Sequence, residues 1–568
     1  MVVHASYHRQ MRTTLLLVVL AMACRGQDAA ATRADWPHYG GTQFSWRYSA
    51  LDQINTANVK NLVPAWIFQT GDYAENLQAT PIVSGGVMYL ITARAQVFAL
   101  DAASGKVIWQ YRSQEARRGR PGTIADNNAS RGVAVSGGMV LFGTADNFLV
   151  ALDQKTGREV WKVSVDDTKQ CGCGITAAPL VVKDKVVVGG NGGDSAHRGY
   201  LTAFSIKSGR LAWRWYVTPG PGEKGNETWK GDSWKFGGGA PWLTGSYDSD
   251  LNLIYWGTGN AASDFFDADR VPGPNHSRDV NLYTASVVAL DADTGKLRWY
   301  YQEVPDDLWD YDSAYEVLLM DREVRGRMRK ILAHMNKSGL TFVLDRQTGE
   351  YLGSFNVPEV FNWIAGVTEN GTLVGRNEPQ VGKQAMFCPS AAGAKSWNSM
   401  AYSPRTGFLY VPVNEICENL TANDEKPQEG RGYMNGAFPM ALPPNRATYS
   451  HIDAWDPVIG KRAWSDPYKY LLLASMLSTA GDLVFTGDPE GNFFALHART
   501  GAKLWNFQTG AGHRGASVSY SVNGRQYIAT TTGWQQSVVG GAALGLFPQE
   551  NWRQGSTLVV FALPGAGK

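Results

Sequence analysis

One eleven-residue pattern recurs along the chain and limits the possible folds more than any other feature. It reads apolar-Leu-Asp-x-x-(Ser/Thr)-Gly-(Lys/Arg)-x-x-Trp. Clear copies occupy 99–109, 151–161, 203–213, 289–299 and 495–505, and weaker copies occupy 343–353 and 453–464. Each copy predicts a strand, a tight turn in which Gly takes a positive φ, and a second strand.

The spacing of the repeat glycines predicts how many such units the chain holds. The gaps between consecutive repeat glycines are 52, 52, 86, 54, 111 and 41 residues. A period of this size with several strands per unit indicates a β-propeller. The gap of 86 fits one unit with an insertion, and the gap of 111 leaves room for another unit, for which 401–413 is the candidate. We therefore predict an all-β, eight-bladed propeller. The repeat glycines are Gly105, Gly157, Gly209, Gly295, Gly349, Gly460 and Gly501.

Two further features bear on how the blades meet. The apolar strand at 556–564 is expected to join an N-terminal strand near 65–68 and so close the last blade. Each clear copy of the repeat ends in Trp, and we expect these side chains to pack between neighbouring blades as scaffold. They are Trp109, Trp161, Trp213, Trp299 and Trp505.

Composition agrees with strands and turns. Gly accounts for 63 of the 568 residues, aromatic residues for 11% and charged residues for only 18%. This balance argues against disorder and against a coiled coil or a charged helical bundle. The formal net charge of +2 shows no excess of basic residues of the kind that binds nucleic acid, so we expect no nucleic-acid partner.

The N-terminus predicts export. Residues 14–23 form a ten-residue apolar run behind His8, Arg9 and Arg12, which is too short to span a bilayer and fits a signal peptide. We assign 1–31 to this signal and 32–568 to the propeller domain. A lipoprotein signal ending at Cys24 and a retained anchor are the alternatives. The predicted location is the periplasm or beyond.

Four cysteines follow the signal, and an even count in an oxidising compartment suggests disulfides. Cys388 and Cys417 form the natural long-range pair. Cys171 and Cys173, separated by one Gly, either close a small ring or stay reduced. The sequence contains no C-x-x-C-H motif, so we expect no covalently attached c-type haem in these residues.

Together with DWPHYGG (35–41) and GDSWKFGGGAPW (231–242), the repeat resembles the pyrroloquinoline-quinone (PQQ) dehydrogenases over about residues 35–564. These include methanol, ethanol and membrane glucose dehydrogenases. The resemblance implies PQQ with Ca²⁺ or a lanthanide ion, and oxidation of a primary alcohol. It also implies an external cytochrome c or quinone as electron acceptor. The alternatives are an aldose dehydrogenase, which oxidises a sugar hydroxyl, and a non-enzymatic propeller scaffold.

Oxidation of an alcohol by PQQ needs a base that takes the hydroxyl proton and a cation that acts as a Lewis acid. It also needs hydrogen-bond donors that stabilise the developing oxyanion. PDDLWDYDS (305–313) is dense in carboxylates, and the resemblance makes Asp310 the base and a metal ligand. It makes Asn260 a second ligand and Lys337 the donor to the reduced oxygen. Asp194 stands where the family has a Glu ligand. Asp312 is a ligand in the lanthanide-using relatives but occurs in others as well, so its role stays open.

The resemblance also places PQQ contacts. Trp242, at the end of GGGAPW, matches the Trp that stacks on the quinone, and Arg131 matches a carboxylate contact. Gln78 replaces an acidic contact of the methanol enzymes, and Ser396 falls near their Asn. The remaining implied contacts are Thr176, Asn191, Gly192 and Gly193.

This chain departs from the methanol enzymes in two further places. Ala125 and Asp126 stand where those enzymes stack a disulfide of adjacent cysteines on the quinone, and Cys171–Cys173 is a candidate replacement. Leu473 stands where they have a Trp near the substrate. The insert 415–450 is a candidate lid. Lys337, Asp312 and the missing cysteine pair favour the aldose alternative.

Overall fold

The computed structural model describes residues 34–565 apart from 74–76, 113–128, 273–278, 535–544, 548–549 and 551. The predicted signal, Cys24, Ala125 and Asp126 lie outside the described residues. Within them, almost all regular structure is β. The helices are α1 (Thr168–Cys171) and three 3₁₀ turns at Val59–Asn61, Asn226–Thr228 and Ser233–Phe236. None of the helices in the described ranges has the length and apolar character needed to cross a bilayer.

The repeat builds antiparallel sheets in which four strands follow one another in chain order. We interpret each of these sheets as one blade. The first four, by strand, are β3 (Ile82–Ser84), β4 (Val87–Ile91), β5 (Gln96–Asp101) and β6 (Val107–Arg112); β7 (Ala134–Ser136), β8 (Met139–Gly143), β9 (Phe148–Asp153) and β10 (Glu159–Ser164); β11 (Leu180–Val182), β12 (Lys185–Gly189), β13 (Tyr200–Ser205) and β14 (Leu211–Tyr216); and β15 (Ser246–Asp248), β16 (Leu253–Gly257), β17 (Ser286–Asp291) and β18 (Leu297–Gln302).

The second half of the chain continues the pattern. Its sheets are β19 (Leu318–Val324), β20 (Arg327–Met335), β21 (Leu340–Asp345) and β22 (Tyr351–Asn356); β26 (Ala401–Tyr402), β27 (Leu409–Asn414), β31 (Ser450–Asp456) and β32 (Lys461–Tyr468); and β33 (Leu477–Thr479), β34 (Leu483–Gly487), β35 (Asn492–His497) and β36 (Lys503–Gln508), to which β1 (Tyr48–Ser49) adds a parallel edge.

The last sheet joins the two ends of the chain. β2 (Val63–Gln69) pairs antiparallel with β39 (Thr557–Ala562), which continues through β38 (Arg525–Thr532) to β37 (Ser517–Val522). The predicted pairing of 556–564 with a strand near 65–68 is confirmed. This sheet carries no copy of the repeat.

Tryptophan side chains link one sheet to the next, as the repeat predicts. A Cβ added to Gly295 would lie 2.5 Å from the ring of Trp213, and one added to Gly349 would lie 2.7 Å from that of Trp299. The indole Nε1 of Trp299 also donates to Arg346 O at 3.2 Å. Gly is required at these turns because the ring of the preceding sheet fills the space of a side chain. The same indole-to-carbonyl bond joins Trp109 to Gln154, Trp161 to Ile206, Trp213 to Ala292 and Trp464 to Ala498.

One detail of the predicted layout is wrong. The segment 401–413 does not form a separate unit, because β26 and β27 pair with β31 and β32 and share the sheet of the copy at 453–464. The prediction failed because an insert separates the two halves of this sheet in the sequence. The insert contributes β28 (Cys417–Ala422), β29 (Gly436–Ala437) and β30 (Met440–Ala441) to a small sheet, which β25 (Ala385–Phe387) joins from the segment before β26. A separate hairpin consists of β23 (Gly366–Val367) and β24 (Leu373–Val374).

Candidate active site

The predicted site residues occupy equivalent positions in different sheets. Gln78, Arg131, Thr176 and Trp242 each precede the first strand of a sheet, and Lys337 follows a second strand. Because the first two strands are antiparallel, the start of one and the end of the next lie at the same end of the sheet. First strands of neighbouring sheets also approach each other, as β3 and β7 and then β7 and β11 do. The fold therefore gathers these positions at one end of the ring centre.

A cavity of about 960 Å³, counting the space at its mouth, lies where these positions meet. All but one of the predicted cofactor, catalytic and metal residues line it. They are Gln78, Arg131, Thr176, Asn191, Gly192, Gly193, Asp194, Trp242, Asp310, Asp312, Lys337 and Ser396. The exception is Asn260, which lies directly behind Gly193. A Cβ on Gly193 would be 2.9 Å from Asn260 Oδ1, so Gly there lets the amide approach.

The acidic segment 305–313 divides its four carboxylates between structure and cavity. Asp306 pairs with Arg270 at 2.8 Å. Asp307 accepts hydrogen bonds from the backbone N–H groups of Trp309 and Tyr311 at 3.0 and 2.7 Å and so fixes the loop. Only Asp310 and Asp312 reach the cavity wall.

Lys337 ties the two cavity carboxylates together. Its Nζ donates to Asp310 Oδ1 at 2.7 Å and lies 2.9 Å from Asp312 Oδ2. The other oxygen of Asp312, Oδ1, accepts from the backbone N–H of Asn260 at 3.0 Å. Asp310 itself has a φ of +59°, a backbone conformation that costs about 1–2 kcal/mol for a non-Gly residue. The contacts of the Asp310 carboxylate keep the residue in this backbone conformation despite its energetic cost.

Three carboxylates meet beside this pair. One oxygen from each of Asp194, Asp264 and Asp310 lies within 4.8 Å of the other two. Asn260 joins them, since its Nδ2 donates to Asp264 Oδ1 at 2.7 Å and its Oδ1 has no hydrogen-bond partner among the described residues. Burial raises the pKa of Asp264 well above its ordinary value, and the charges of Asp194 and Asp310 raise it further. Burial, together with the Asp312 charge, raises the pKa of Asp194 to about 6.

Sequence reasoning missed Asp264. It lies in the segment between β16 and β17, which contains no copy of the repeat, and no motif marked it. A possible signal was its position four residues after Asn260 in an apolar stretch.

The opposite part of the cavity is aromatic and cationic. The Arg131 guanidinium lies 5.0 Å from the ring centre of Trp242, and its Nε and Nη1 have no hydrogen-bond partner among the described residues. The ring of Tyr315 supports Trp242 edge-on at 5.3 Å. Gln78 Oε1 is also buried without a described partner. This wall offers a flat surface with donors and an acceptor beside it.

The two disulfides differ in their relation to the cavity. Cys388–Cys417 is formed, as predicted. Cys171–Cys173 is also formed, but neither cysteine lines the cavity. A Cβ on Gly192 would lie 3.4 Å from Cys173 Cβ, so this small ring lies behind the Gly192 backbone. Within the described residues, the small ring therefore does not supply a stacking surface.

The insert 415–450 contributes the apolar part of the wall. Met434, Phe438 and Met440 line the cavity beside Trp397. The insert is anchored next to the acidic cluster, because the backbone N–H of Tyr433 donates to Asp194 O at 2.7 Å. Leu473 is buried close by, in a cluster with Trp242 and Trp397.

A ring of four-stranded sheets with an acidic and aromatic pocket at its centre defines a cofactor-binding β-propeller. The PQQ glucose/ethanol/alcohol dehydrogenase β-propeller domain matches residues 36–361 and 367–528. The chain belongs to this family, and it is an oxidoreductase that acts on CH–OH donors. Membership excludes the non-enzymatic scaffold.

Individual relatives agree with this assignment. The chain is 37% identical to a quinohemoprotein alcohol dehydrogenase of Comamonas testosteroni, over 95% of this chain and 77% of that protein. It is 35% identical to a lanthanide-dependent methanol dehydrogenase of Methylorubrum extorquens, over 88% and 86%. A solved europium-containing methanol dehydrogenase superposes with a TM-score of 0.85 at 31% identity, covering 93% of this chain and 98% of that one.

The cavity residues fit the family's cofactors. A tricarboxylate quinone needs cationic donors, and Arg131 has two buried nitrogens without described partners. A hard cation needs several oxygen ligands. Asp194 and Asp310 offer carboxylate oxygens at the cavity wall, and Asp264 and the Asn260 Oδ1 without a described partner lie directly behind them.

Proposed function

We propose that this protein oxidises a primary alcohol in the central cavity, with PQQ and a metal ion held there by the residues described above. The observation that supports this most is the convergence of Asp194, Asp310, Lys337 and Trp242 on one cavity. When bound, PQQ supplies the hydride acceptor and the metal ion supplies a Lewis acid.

Binding of the cofactors is assigned to two parts of the wall. Trp242 is proposed to stack on the quinone, and the free nitrogens of Arg131 to bind a quinone carboxylate. Asn191 fixes the backbone around this point, because its Oδ1 accepts from Gly174 N–H at 2.6 Å. The other predicted quinone contacts are Gln78, Thr176, Gly192, Gly193 and Ser396. The metal is assigned to Asp194, Asn260 and Asp310.

Asp310 is proposed to take the proton of the substrate hydroxyl. Its Oδ1 accepts from Lys337 Nζ, which leaves Oδ2 for the incoming proton. Lys337 orients the carboxylate and also keeps a cationic donor beside the reacting oxygen. Asp312 in turn holds Lys337 from the other side, so the ammonium has a fixed position.

The lining favours an alcohol over a sugar. Met434, Phe438 and Met440 present apolar side chains to the cavity. A sugar would have to bury several hydroxyl groups against them, and a buried hydroxyl without a hydrogen bond costs about 1–3 kcal/mol. A primary alcohol would place its alkyl chain there instead.

We further propose that the protein acts after export and passes electrons to a separate cytochrome c or quinone. Two disulfides fit an oxidising compartment. A relative named 1-butanol dehydrogenase (cytochrome c), of Thauera butanivorans and 34% identical over 98% of this chain, supports a cytochrome c acceptor.

Dye-linked turnover tests the proposal. The purified chain is mixed with PQQ and either Ca²⁺ or La³⁺, and ethanol or glucose is added. We expect turnover that requires PQQ and is faster with ethanol. Asp310→Asn should lower kcat by about 10²–10⁴-fold, the usual contribution of a general base.

Asp250→Asn is the matched control, since Asp250 is exposed and lies on the rim of a blade near Lys330. Its turnover should equal that of the wild type. Turnover in Asp310→Asn at the wild-type rate would reject Asp310 as the base, and a failure to bind PQQ with either metal would reject the whole assignment.

A further inference from the structure

We propose that the Cys171–Cys173 disulfide is a positioning element of the cofactor site. It fixes the backbone of residues 191–194, here called the cradle segment, so that breaking it weakens PQQ binding while the propeller stays folded. This inference rests on the proposed function, which assigns quinone contacts to the cradle segment.

The residues on both sides of Cys173 contact the start of the cradle segment. Gly174 N–H donates to Asn191 Oδ1 at 2.6 Å, and Asn191 N–H donates back to Gly174 O at 2.8 Å. A Cβ on Gly192 would lie 3.2 Å from Gly172 O and 3.4 Å from Cys173 Cβ. Asn191 and Gly192 line the cavity, so the backbone around Cys173 sets where they stand in it.

The insert 415–450 also packs on the ring that the disulfide closes. A Cβ on Gly172 would collide with Gly430 O, so the two backbones are in direct contact. Two residues beyond the cradle segment, Ala196 O accepts from Gly430 N–H at 3.1 Å, and Ala196 N–H donates to Arg431 O at 3.0 Å. The ring therefore supports the cradle segment directly and also through the insert.

One sulfur of the disulfide is tied to the propeller. Cys173 Sγ accepts from Asn147 Nδ2 at 3.1 Å, and the same Nδ2 donates to Tyr200 OH at 3.0 Å. Asn147 immediately precedes β9 and Tyr200 begins β13, so the contact reaches two blades. Both cysteines are buried. The disulfide thus ties the cradle segment to the rigid blades around it.

A crosslink is useful here because the residues on both sides of Cys173 are glycines. Gly172 has a φ of +65°, and a Cβ on Gly174 would collide with Ala145 O, so neither position accepts a side chain. Glycine loses more conformational freedom than other residues when it is ordered. The disulfide restricts this flexible segment before it folds and so offsets part of that cost.

The small size of the ring makes this effect local. The stabilisation of a whole fold by a disulfide grows with the length of chain that the disulfide closes. Cys171 and Cys173 have a sequence separation of 2, whereas Cys388 and Cys417 have one of 29. Loss of the short crosslink should therefore affect the cavity more than the stability of the propeller.

Hydrogen exchange of the purified chain without PQQ tests the positioning role. In Cys171→Ser/Cys173→Ser, peptides that cover 190–196 should exchange about tenfold faster or more, because the backbone hydrogen bonds of the cradle segment open more often. Peptides from the blade strands should exchange as in the wild type.

Gly295→Ala is the control for a general loss of stability. This substitution strains a turn against Trp213, between two blades and outside the cavity lining. It should leave exchange in 190–196 unchanged.

Fluorescence titration of PQQ in the presence of Ca²⁺ measures the consequence for the cofactor. Cys171→Ser/Cys173→Ser should bind PQQ about tenfold or more weakly, because small displacements of contacting groups are costly. At saturating PQQ, its kcat with ethanol should stay within about threefold of the wild type, because Asp310 and Lys337 hold each other in place. A variant that is merely destabilised would lose active protein, and its kcat would fall as well.

Thermal melting without PQQ shows whether the variants fold. Cys171→Ser/Cys173→Ser should lose less in melting temperature than Cys388→Ser/Cys417→Ser, because its crosslink closes the shorter loop. Cys171→Ala/Cys173→Ala is a second test without hydroxyl groups, and it should change exchange and PQQ affinity in the same direction. Mass spectrometry of the unreduced wild type checks that the crosslink is present.

Wild-type exchange in 190–196 or wild-type PQQ affinity in both double variants would overturn the inference, and so would absence of the crosslink in the wild type. An equal change in Gly295→Ala would assign the effect to general stability and overturn it as well. A larger fall in melting temperature than in Cys388→Ser/Cys417→Ser would contradict the local role. Failure of the wild type to bind PQQ rejects the proposed function instead, and the exchange measurement, which needs no PQQ, still decides whether the ring fixes the cradle segment.

Discussion

Aspartates in the turns of the repeat and aspartates at the ring centre have opposite surroundings. Asp153 Oδ1 accepts from both the backbone N–H and the hydroxyl of Thr156, at 2.8 and 2.7 Å. Both hydrogen bonds lower the pKa of Asp153, and the bond from the Thr156 hydroxyl has the larger effect. Asp264 is buried, retains an oxygen without a described partner, and has a raised pKa. A carboxylate that its own turn satisfies supports the fold, whereas one that the fold leaves unsatisfied is suited to a ligand.

The tryptophans show the same division. Trp299 packs on the Gly349 turn and donates its indole N–H to Arg346. Trp242 lines the cavity and faces the Arg131 guanidinium. If the comparison is correct, substitutions in the two regions should affect different measurements.

The largest expected effect separates these two tryptophans. Trp299→Ala leaves a large cavity between two blades and should lower the free energy of unfolding by about 3–5 kcal/mol. Trp242→Ala should cost less stability but weaken PQQ binding about tenfold or more, because it removes the stacking surface. Urea unfolding and PQQ fluorescence titration measure the two effects.

Trp299→Phe is the control for ring loss, and it should recover part of the stability because a ring again covers Gly349. A loss of PQQ affinity in folded Trp299→Ala, with Trp242→Ala unchanged, would contradict the division.

The second prediction concerns buried carboxylates that do have a cationic partner. His451 Nε2 bonds Glu415 Oε1 at 2.9 Å, and His451 Nδ1 bonds Asp453 Oδ1 at 2.8 Å. Burial lowers the pKa of His451, but these two carboxylates more than compensate and raise it to about 9. Stability from this charge is complete below the unfolded pKa of about 6.5 and is lost as pH rises through about 9.

The loss should amount to roughly 3 kcal/mol, since each pKa unit corresponds to about 1.4 kcal/mol. Urea unfolding of the wild type and of His451→Gln between about pH 6 and pH 10 checks it, because the neutral variant lacks this titration. The difference in stability between the two should shrink as pH rises. A constant difference would show that His451 is neutral in the folded protein.

The smallest predicted effect compares two glycines of similar backbone conformation. Gly295 and Gly326 have φ of +70° and +76°, so Ala costs about 1–2 kcal/mol at either. A Cβ on Gly326 meets nothing within 4 Å, whereas one on Gly295 would lie 2.5 Å from Trp213. Gly295→Ala should therefore be about 1–3 kcal/mol less stable than Gly326→Ala in urea unfolding. Equal losses would mean that the Trp213 contact contributes nothing.

Much of the fold could be predicted from the sequence, because each repeat determines its structure through residues that are close together in the chain. Leu, Asp, Ser/Thr, Gly and Trp at fixed spacing specify two strands, their turn and the contact with the next sheet. The segment 401–413 was misassigned because the other half of its sheet lies beyond the insert. No short sequence pattern predicts that β27 and β31, which the insert separates, will pair.

The site was predictable where a short motif carries it and not elsewhere. Asp310, Lys337 and Trp242 stand in recognisable segments, and the fold brings them to one cavity. Asp264 lies in a segment without repeat or motif, and its neighbours Asp194 and Asp310 come from other parts of the chain. Its surroundings are a product of tertiary packing, which residue spacing alone does not encode.

Because β2 pairs with β39, the sheet that contains them can form only late in synthesis. The ribosome releases β2 long before β39, so β2 has no partner until all the sheets between them have been synthesised. An unpaired strand edge promotes association with other chains. Every shorter fragment therefore presents an open ring, and the central cavity reaches its final shape only when the last strand arrives.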